Sequence, residues 1–106
     1  MAFKKVGYAD GAVELTALSA RPEGTPRGAV AIYPTFMNST PAVEMKARQL
    51  VDAGYAVLIG DFYGPEAPEN PEEAFAAMRT LRSDPAAMRR RLGATLELLR
   101  TLHPDL

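Results

Sequence analysis

Two short apolar runs without a polar break, Ala29–Ile32 and Tyr55–Ile59, constrain this chain more than any other feature. A strand with one wet face alternates apolar and polar residues. A run without alternation is covered on both faces, as in a parallel sheet lying between helices. One helix fits between the two runs. Thr40 has N-cap chemistry, Pro41 takes the first helical position, where its missing N–H is harmless, and Gly54 closes the helix. Val43, Ala47, Leu50 and Val51 form one stripe, while Glu44, Lys46, Arg48 and Asp52 face elsewhere. Strand, helix and strand of this length make a βαβ crossover, expected to be right-handed.

The flanking segments read in the same way. Lys4–Tyr8 and Val13–Ala17 are strand candidates around the turn signal Asp10-Gly11, and Val13–Ala17 alternates as a strand with one wet face does. Arg21–Gly28 is a loop by its prolines and glycines. Tyr33–Ser39 and Gly60–Glu69 are loops following the two buried strands. Asn70-Pro71-Glu72-Glu73 opens a second helix, with a carboxylate three residues after its cap. Asp84-Pro85 repeats the signal, which predicts a break near Ser83 and a last helix from Pro85 to Leu102. Met88, Leu92, Leu96, Leu99 and Leu102 are its expected sheet-facing stripe. The fold class is therefore α/β, an antiparallel hairpin joined to a parallel βαβ pair and followed by two helices. Residues 1–106 form one domain, a size able to bury one core.

Composition narrows the function. There are 12 basic and 13 acidic residues, a net charge of −1, which gives no general pull toward nucleic acid or a membrane surface. Arg89-Arg90-Arg91 spreads over most of a helical turn and reads as a solvated face. No apolar run approaches the roughly 18 residues of a membrane span, and no secretory leader is evident, so the expectation is a cytoplasmic protein. With no cysteine and one histidine, His103, neither a cysteine site nor an imidazole cluster can form; no metal and no cofactor are expected. His103 is given no chemistry; as a cation near a helix C-terminus it would suit the helix dipole.

In order and spacing, four motifs resemble the N-terminal half of a dienelactone hydrolase, within the α/β-hydrolase fold. They are RPEGTPRG before the third strand, YPTFMN after it, KARQLVDAGYAVLIGDFYG, and DPAAMRRRLGATLELLRTL in the last helix. The resemblance implies ester or lactone hydrolysis by a longer parent. Its nucleophile would sit in a G-x-C/S-x-G elbow on the next strand, with the acid and the histidine later still, all beyond Leu106. No catalytic residue is therefore assigned, and the chain alone is expected to be inactive. The family's loop after the third strand supplies one oxyanion-hole donor, which by position is the backbone N–H of Phe36. Thr35, Met37, Asn38, Asp61 and Tyr63 are the substrate-loop candidates. Dienelactone hydrolases proper often carry a Glu near this loop and a Gly shortly after it, where this chain has Thr35 and Asn38. Read from the residues alone, Asp61 caps its own turn, while Phe62 and Tyr63 pack at the strand end.

The family's strand order, 1-2-4-3-5, would leave Ala29, Val30, Ala31 and Ile32 as an open edge. Its expected partner is a C-terminal half chain or a second copy. Two other roles remain as alternatives: a self-assembling structural half-domain without catalysis, or a small-molecule binding module using the loops at the strand C-termini.

Overall fold

A computed structural model describes residues 2–106. Its elements are β1 (Lys4–Asp10), β2 (Val13–Ala20), β3 (Ala29–Ile32), α1 (Pro41–Asp52), β4 (Ala56–Ile59), a 3-10 turn (Gly64–Glu66), α2 (Pro71–Arg82) and α3 (Pro85–Leu102). The four strands form one sheet in the order β1-β2-β4-β3, antiparallel except for the parallel β3–β4 pair. This is the expected α/β architecture.

The helix starts match the cap chemistry. Thr40, Asn70 and Asp84 each accept a backbone N–H in the first turn, from Val43, Glu73 and Ala87, and a proline follows each cap. Glu73 reaches back, but its carboxylate accepts from Glu69 N at 2.9 Å rather than from the cap residue itself. Ser83 caps the C-terminus of α2, giving the expected break. Gly54, at φ 101, ends α1 in a conformation that disfavours a side chain.

The hairpin runs further than the alternation suggested, to Asp10 and Ala20. Alternation fails after Ala17 because Leu18, Ser19 and Ala20 pair with β4 on one side while β1 lies on the other. They are central there, no longer at a wet edge.

Strand β4 is the core. Its side chains alternate between two layers: Val57 and Ile59 pack with Val43, Ala47 and Val51 of α1, whereas Leu58 packs with Ala17 and Leu99 under α3. All four β4 residues are buried. The other apolar run, β3, is only half-buried because it lies at the sheet edge.

Two expectations for α3 are corrected. Leu96 does not lie in the sheet-facing stripe: it is 41% exposed, and its place on that face is taken by Thr95, at 1%. Gly60 explains the exchange, since a Cβ there would lie 2.8 Å from Thr95 Oγ1; the glycine lets a threonine close directly on the strand end. Arg91 is not solvated either. Its side chain is 12% exposed, with Nε 2.8 Å from Asp10 Oδ2 and a second nitrogen donating to the Phe62 carbonyl. Arg89 and Arg90 keep the solvated position.

Among the described residues, no helix is long and apolar enough to cross a membrane. Leu58→Ala should cost about 3 kcal/mol of unfolding free energy, because a fully buried side chain leaves a cavity between β4 and α3. Met45→Ala, at a 62% exposed position, should stay within about 0.5 kcal/mol. Urea denaturation of both variants checks the assignment of core and surface.

Candidate active-site loops

The loops after β3 and β4 leave the same end of the parallel pair and are bound to each other through Asp61. One carboxylate oxygen accepts from Thr16 N of β2 at 2.9 Å. The other accepts from Asn38 Nδ2 at 2.9 Å and from Tyr63 N and Gly64 N, both at 3.0 Å. The last two bonds are the turn cap expected for an aspartate here. The first two tie that turn to the hairpin and to the neighbouring loop. Asn38 completes the link in the opposite sense, its Oδ1 accepting from Phe62 N at 3.0 Å. Since one partner can only accept and the other can only donate, the amide's orientation is determined.

Burial, at 7% exposure, pushes the Asp61 carboxyl up, but the bonds from Thr16, Gly64, Tyr63 and Asn38 together outweigh it and hold the pKa below its usual value. An ionised carboxylate with its oxygens so engaged is a poor base or nucleophile. Asp61 is a clamp.

Asn38 sits at φ 66. This is the left-handed region, where the family resemblance implied glycine, and asparagine is among the side chains that tolerate it best. The turn Thr35–Asn38 is closed by Asn38 N donating to Thr35 O at 2.8 Å and by Met37 N donating to Thr35 Oγ1 at 3.2 Å. Tyr63 O–H donates to the Phe36 carbonyl at 2.6 Å, so the second loop also grips the tip of the first. Burial raises the Tyr63 pKa, keeping the phenol a neutral donor. Among the described residues, the Phe36 N–H makes no hydrogen bond. The structure thus joins Phe36, Asn38, Asp61 and Tyr63 in one network. Among the described residues, Thr35 bonds only within its own turn, and Met37 joins the turn through its backbone.

Beneath the network lie residues that carry no local sequence signal. The Tyr8 hydroxyl oxygen accepts from Asp61 N at 3.0 Å and lies 3.0 Å from Thr95 Oγ1, and the Tyr8 pKa is raised, chiefly by burial. Gly64, at φ 71, brings the loop so close to β2 that a Cβ would fall 2.5 Å from the Glu14 carbonyl oxygen. Beside the loops, the Phe36 and Phe75 rings stand 4.8 Å apart at the edge of an open groove of about 520 Å³, lined also by Met78, Arg79, Arg82 and Ser83.

His103 lies at the opposite end of the sheet, where α3 meets Arg21, Thr25 and Pro26. It is buried, its Nε2 has no partner among the described residues, and its pKa is lowered by burial and then by the Arg21 charge. The cation expected at this helix end is therefore disfavoured: dehydration and a neighbouring guanidinium outweigh the helix dipole. Among the described residues, no group of three or more His, Asp or Glu could hold a metal ion.

A profile of the dienelactone hydrolase family matches residues 15–105. Among solved structures, the protein named m3DLH superposes with a TM-score of 0.83 at 26% identity, over 92% of this chain and 42% of that one. P91, a dienelactone hydrolase-like promiscuous phosphotriesterase from metagenomic libraries, gives 0.84 at 28%, over 92% and 41%. A dienelactone hydrolase from Anabaena variabilis shares the fold, with a TM-score of 0.65 at 24% identity over 92% and 44%. The chain thus spans less than half the length of each. No curated protein matches it.

Asp61→Asn should cost about 2–4 kcal/mol, because the amide retains one acceptor oxygen and sets N–H donors against N–H donors. Since the folded pKa of Asp61 is depressed, its contribution is present above the unfolded value of about 3.9 and lost as pH falls through the folded pKa. Denaturant titrations in acid should show that loss in the parent chain and a flatter dependence in the variant. His103, also depressed, begins its own loss as pH drops below about 6.5; His103→Gln should remove that earlier limb.

Proposed function

The chain belongs to the dienelactone hydrolase family, and from that membership we propose that it supplies one wall of a site cleaving carboxylic ester or lactone bonds. In this reading the Phe36 N–H is one of two oxyanion donors. The observation that carries it is an amide without a partner among the described residues, at the C-terminal end of a parallel strand, in a turn held from both sides by Asn38, Asp61 and Tyr63. Preorganisation of this kind matters because a donor fixed in advance need not reorient as the oxyanion forms. The Phe36–Phe75 groove beside it would receive an apolar portion of the substrate.

On this reading residues 1–106 do not turn over alone. Ester cleavage by this route needs a nucleophile, a base and a group that orients the base. The three serines, Ser19, Ser39 and Ser83, have no flanking glycine elbow. The histidine lies at the far end of the sheet, and the Asp61 oxygens are committed to the clamp. A complementary polypeptide carrying the elbow, the acid and the histidine would complete the site.

Hydrolysis of p-nitrophenyl acetate provides the test, with a phosphotriester in the panel because P91 is named for that activity. The chain alone should not exceed the buffer rate. Adding a separately produced C-terminal polypeptide of a family member should restore turnover. In that assembly Phe36→Pro, which removes the N–H, should lower kcat by about 100- to 1000-fold, whereas Phe36→Leu, which keeps the N–H and shortens the groove wall, should act mainly on KM. Turnover by the chain alone, or an active assembly indifferent to Phe36→Pro, would sink the reading.

A further inference from the structure

We infer, on the reading of the Phe36 N–H as an oxyanion donor, that Tyr63 and Thr35 are its positioning residues. They hold the two ends of the peptide that joins Phe36 to Met37 and so keep the donor aimed.

Thr35–Asn38 is a β-turn, closed by Asn38 N donating to Thr35 O at 2.8 Å. That bond settles the peptide before Phe36. A trans peptide sets its C=O and N–H on opposite sides, so a Thr35 carbonyl directed into the turn sends the Phe36 N–H out of it. The peptide after Phe36 is the middle one of the turn. In β-turns this unit takes two orientations, as in types I and II, related by a flip that exchanges its carbonyl and its N–H. The closing bond is common to both and does not choose between them.

Two side chains make the choice. The Tyr63 O–H, from the loop after β4, donates to the Phe36 carbonyl at 2.6 Å. At the other end of the peptide, Met37 N donates to Thr35 Oγ1 at 3.2 Å, and the Thr35 O–H donates onward to Asn38 O at 3.3 Å. A flip would break the Tyr63 and Met37 bonds together. With the peptides on both sides of Phe36 held, its φ and ψ have little freedom and its N–H keeps one direction.

The Tyr63 backbone is itself fixed. Its N–H is bound by Asp61 Oδ1 at 3.0 Å, and the next residue, Gly64, is pressed against the Glu14 carbonyl of β2. The hydroxyl of Thr35 has a different origin, being the local side-chain turn that serine and threonine form with a backbone N–H two residues on. One hold is thus tertiary and the other local. Neither residue lines the groove beside Phe36 and Phe75, so both should act on the donor and not on substrate affinity.

Two measurements test this. In the chain itself, the nuclear Overhauser effect between Phe36 Hα and the Met37 amide proton reports the middle peptide, because a flip changes their separation. The parent should show one orientation. Tyr63→Phe and Thr35→Val, each removing one hold, should show a mixture with unchanged circular dichroism, and Thr35→Ser should return the single orientation. A general loss of stability would not move this signal. In the assembly with a C-terminal polypeptide, Tyr63→Phe and Thr35→Val should each lower kcat about 3- to 10-fold at constant KM, the factor that one hydrogen bond is worth. Thr35→Ser should recover most of that loss. If Tyr63→Phe fails to fold, the two variants at the exposed Thr35 decide alone. One orientation retained in Tyr63→Phe and Thr35→Val overturns the proposal. So does an assembly that Phe36→Pro impairs and these two variants do not. An assembly indifferent to Phe36→Pro instead removes the donor reading, and the positioning roles fall with it.

Discussion

The candidate site depends on one carboxylate. Asp61 stands where β4 ends, and its oxygens are divided between β2, the loop after β3 and its own turn. Each bond alone is modest. Together they place an ionised group in a nearly dry position, and that group fixes the relation of three chain segments far apart in sequence. Asn38 makes the arrangement reciprocal by accepting from Phe62 N while donating to Asp61. Tyr63 then extends the hold to the Phe36 carbonyl. That the Phe36 amide pairs with none of the described residues is a consequence: the turn satisfies the N–H groups of Met37 and Asn38 and leaves that one over.

Support for this clamp comes from the α3 layer and the hairpin. The α3 layer closes on the strand end through Thr95, which only a glycine at position 60 allows, and Thr95 meets the Tyr8 hydroxyl that also receives Asp61 N. Arg91 ties the start of α3 to Asp10 at the hairpin tip and to the Phe62 carbonyl. The buried polar groups under the loops are thus nearly all paired. This is why a polar network can sit beside an apolar core without undue cost.

Much of the fold was legible because its signals are local. Cap and proline pairs at Thr40, Asn70 and Asp84 mark helix starts through bonds spanning three residues. The apolar runs mark strands covered on both faces. The turn-capping role of Asp61 was equally readable, since Tyr63 and Gly64 are its near neighbours. By contrast, Leu96 and Thr95 exchanged places relative to the periodicity because apolar spacing cannot register the space left by a glycine on another element. Arg91 looked solvated for a similar reason: nothing near it in sequence announces Asp10. His103 looked suited to a charge because the helix dipole is local, whereas the burial and the Arg21 charge that oppose it are not.

The sequence by itself determined the α/β class, the element order, the crossover and, through its motifs, the family. Each rests on side-chain periodicity or on chemistry within a few residues. Only the tertiary structure decided which polar groups meet: Asp61 with Thr16 and Asn38, Tyr8 with Thr95, Tyr63 with the Phe36 carbonyl. Those pairings span 23 to 87 positions of chain, and hydrogen bonds act over only about 3 Å. No local pattern encodes them. They exist because burying β4 between two helical layers brings the loop ends together, and a buried polar group must then find a partner.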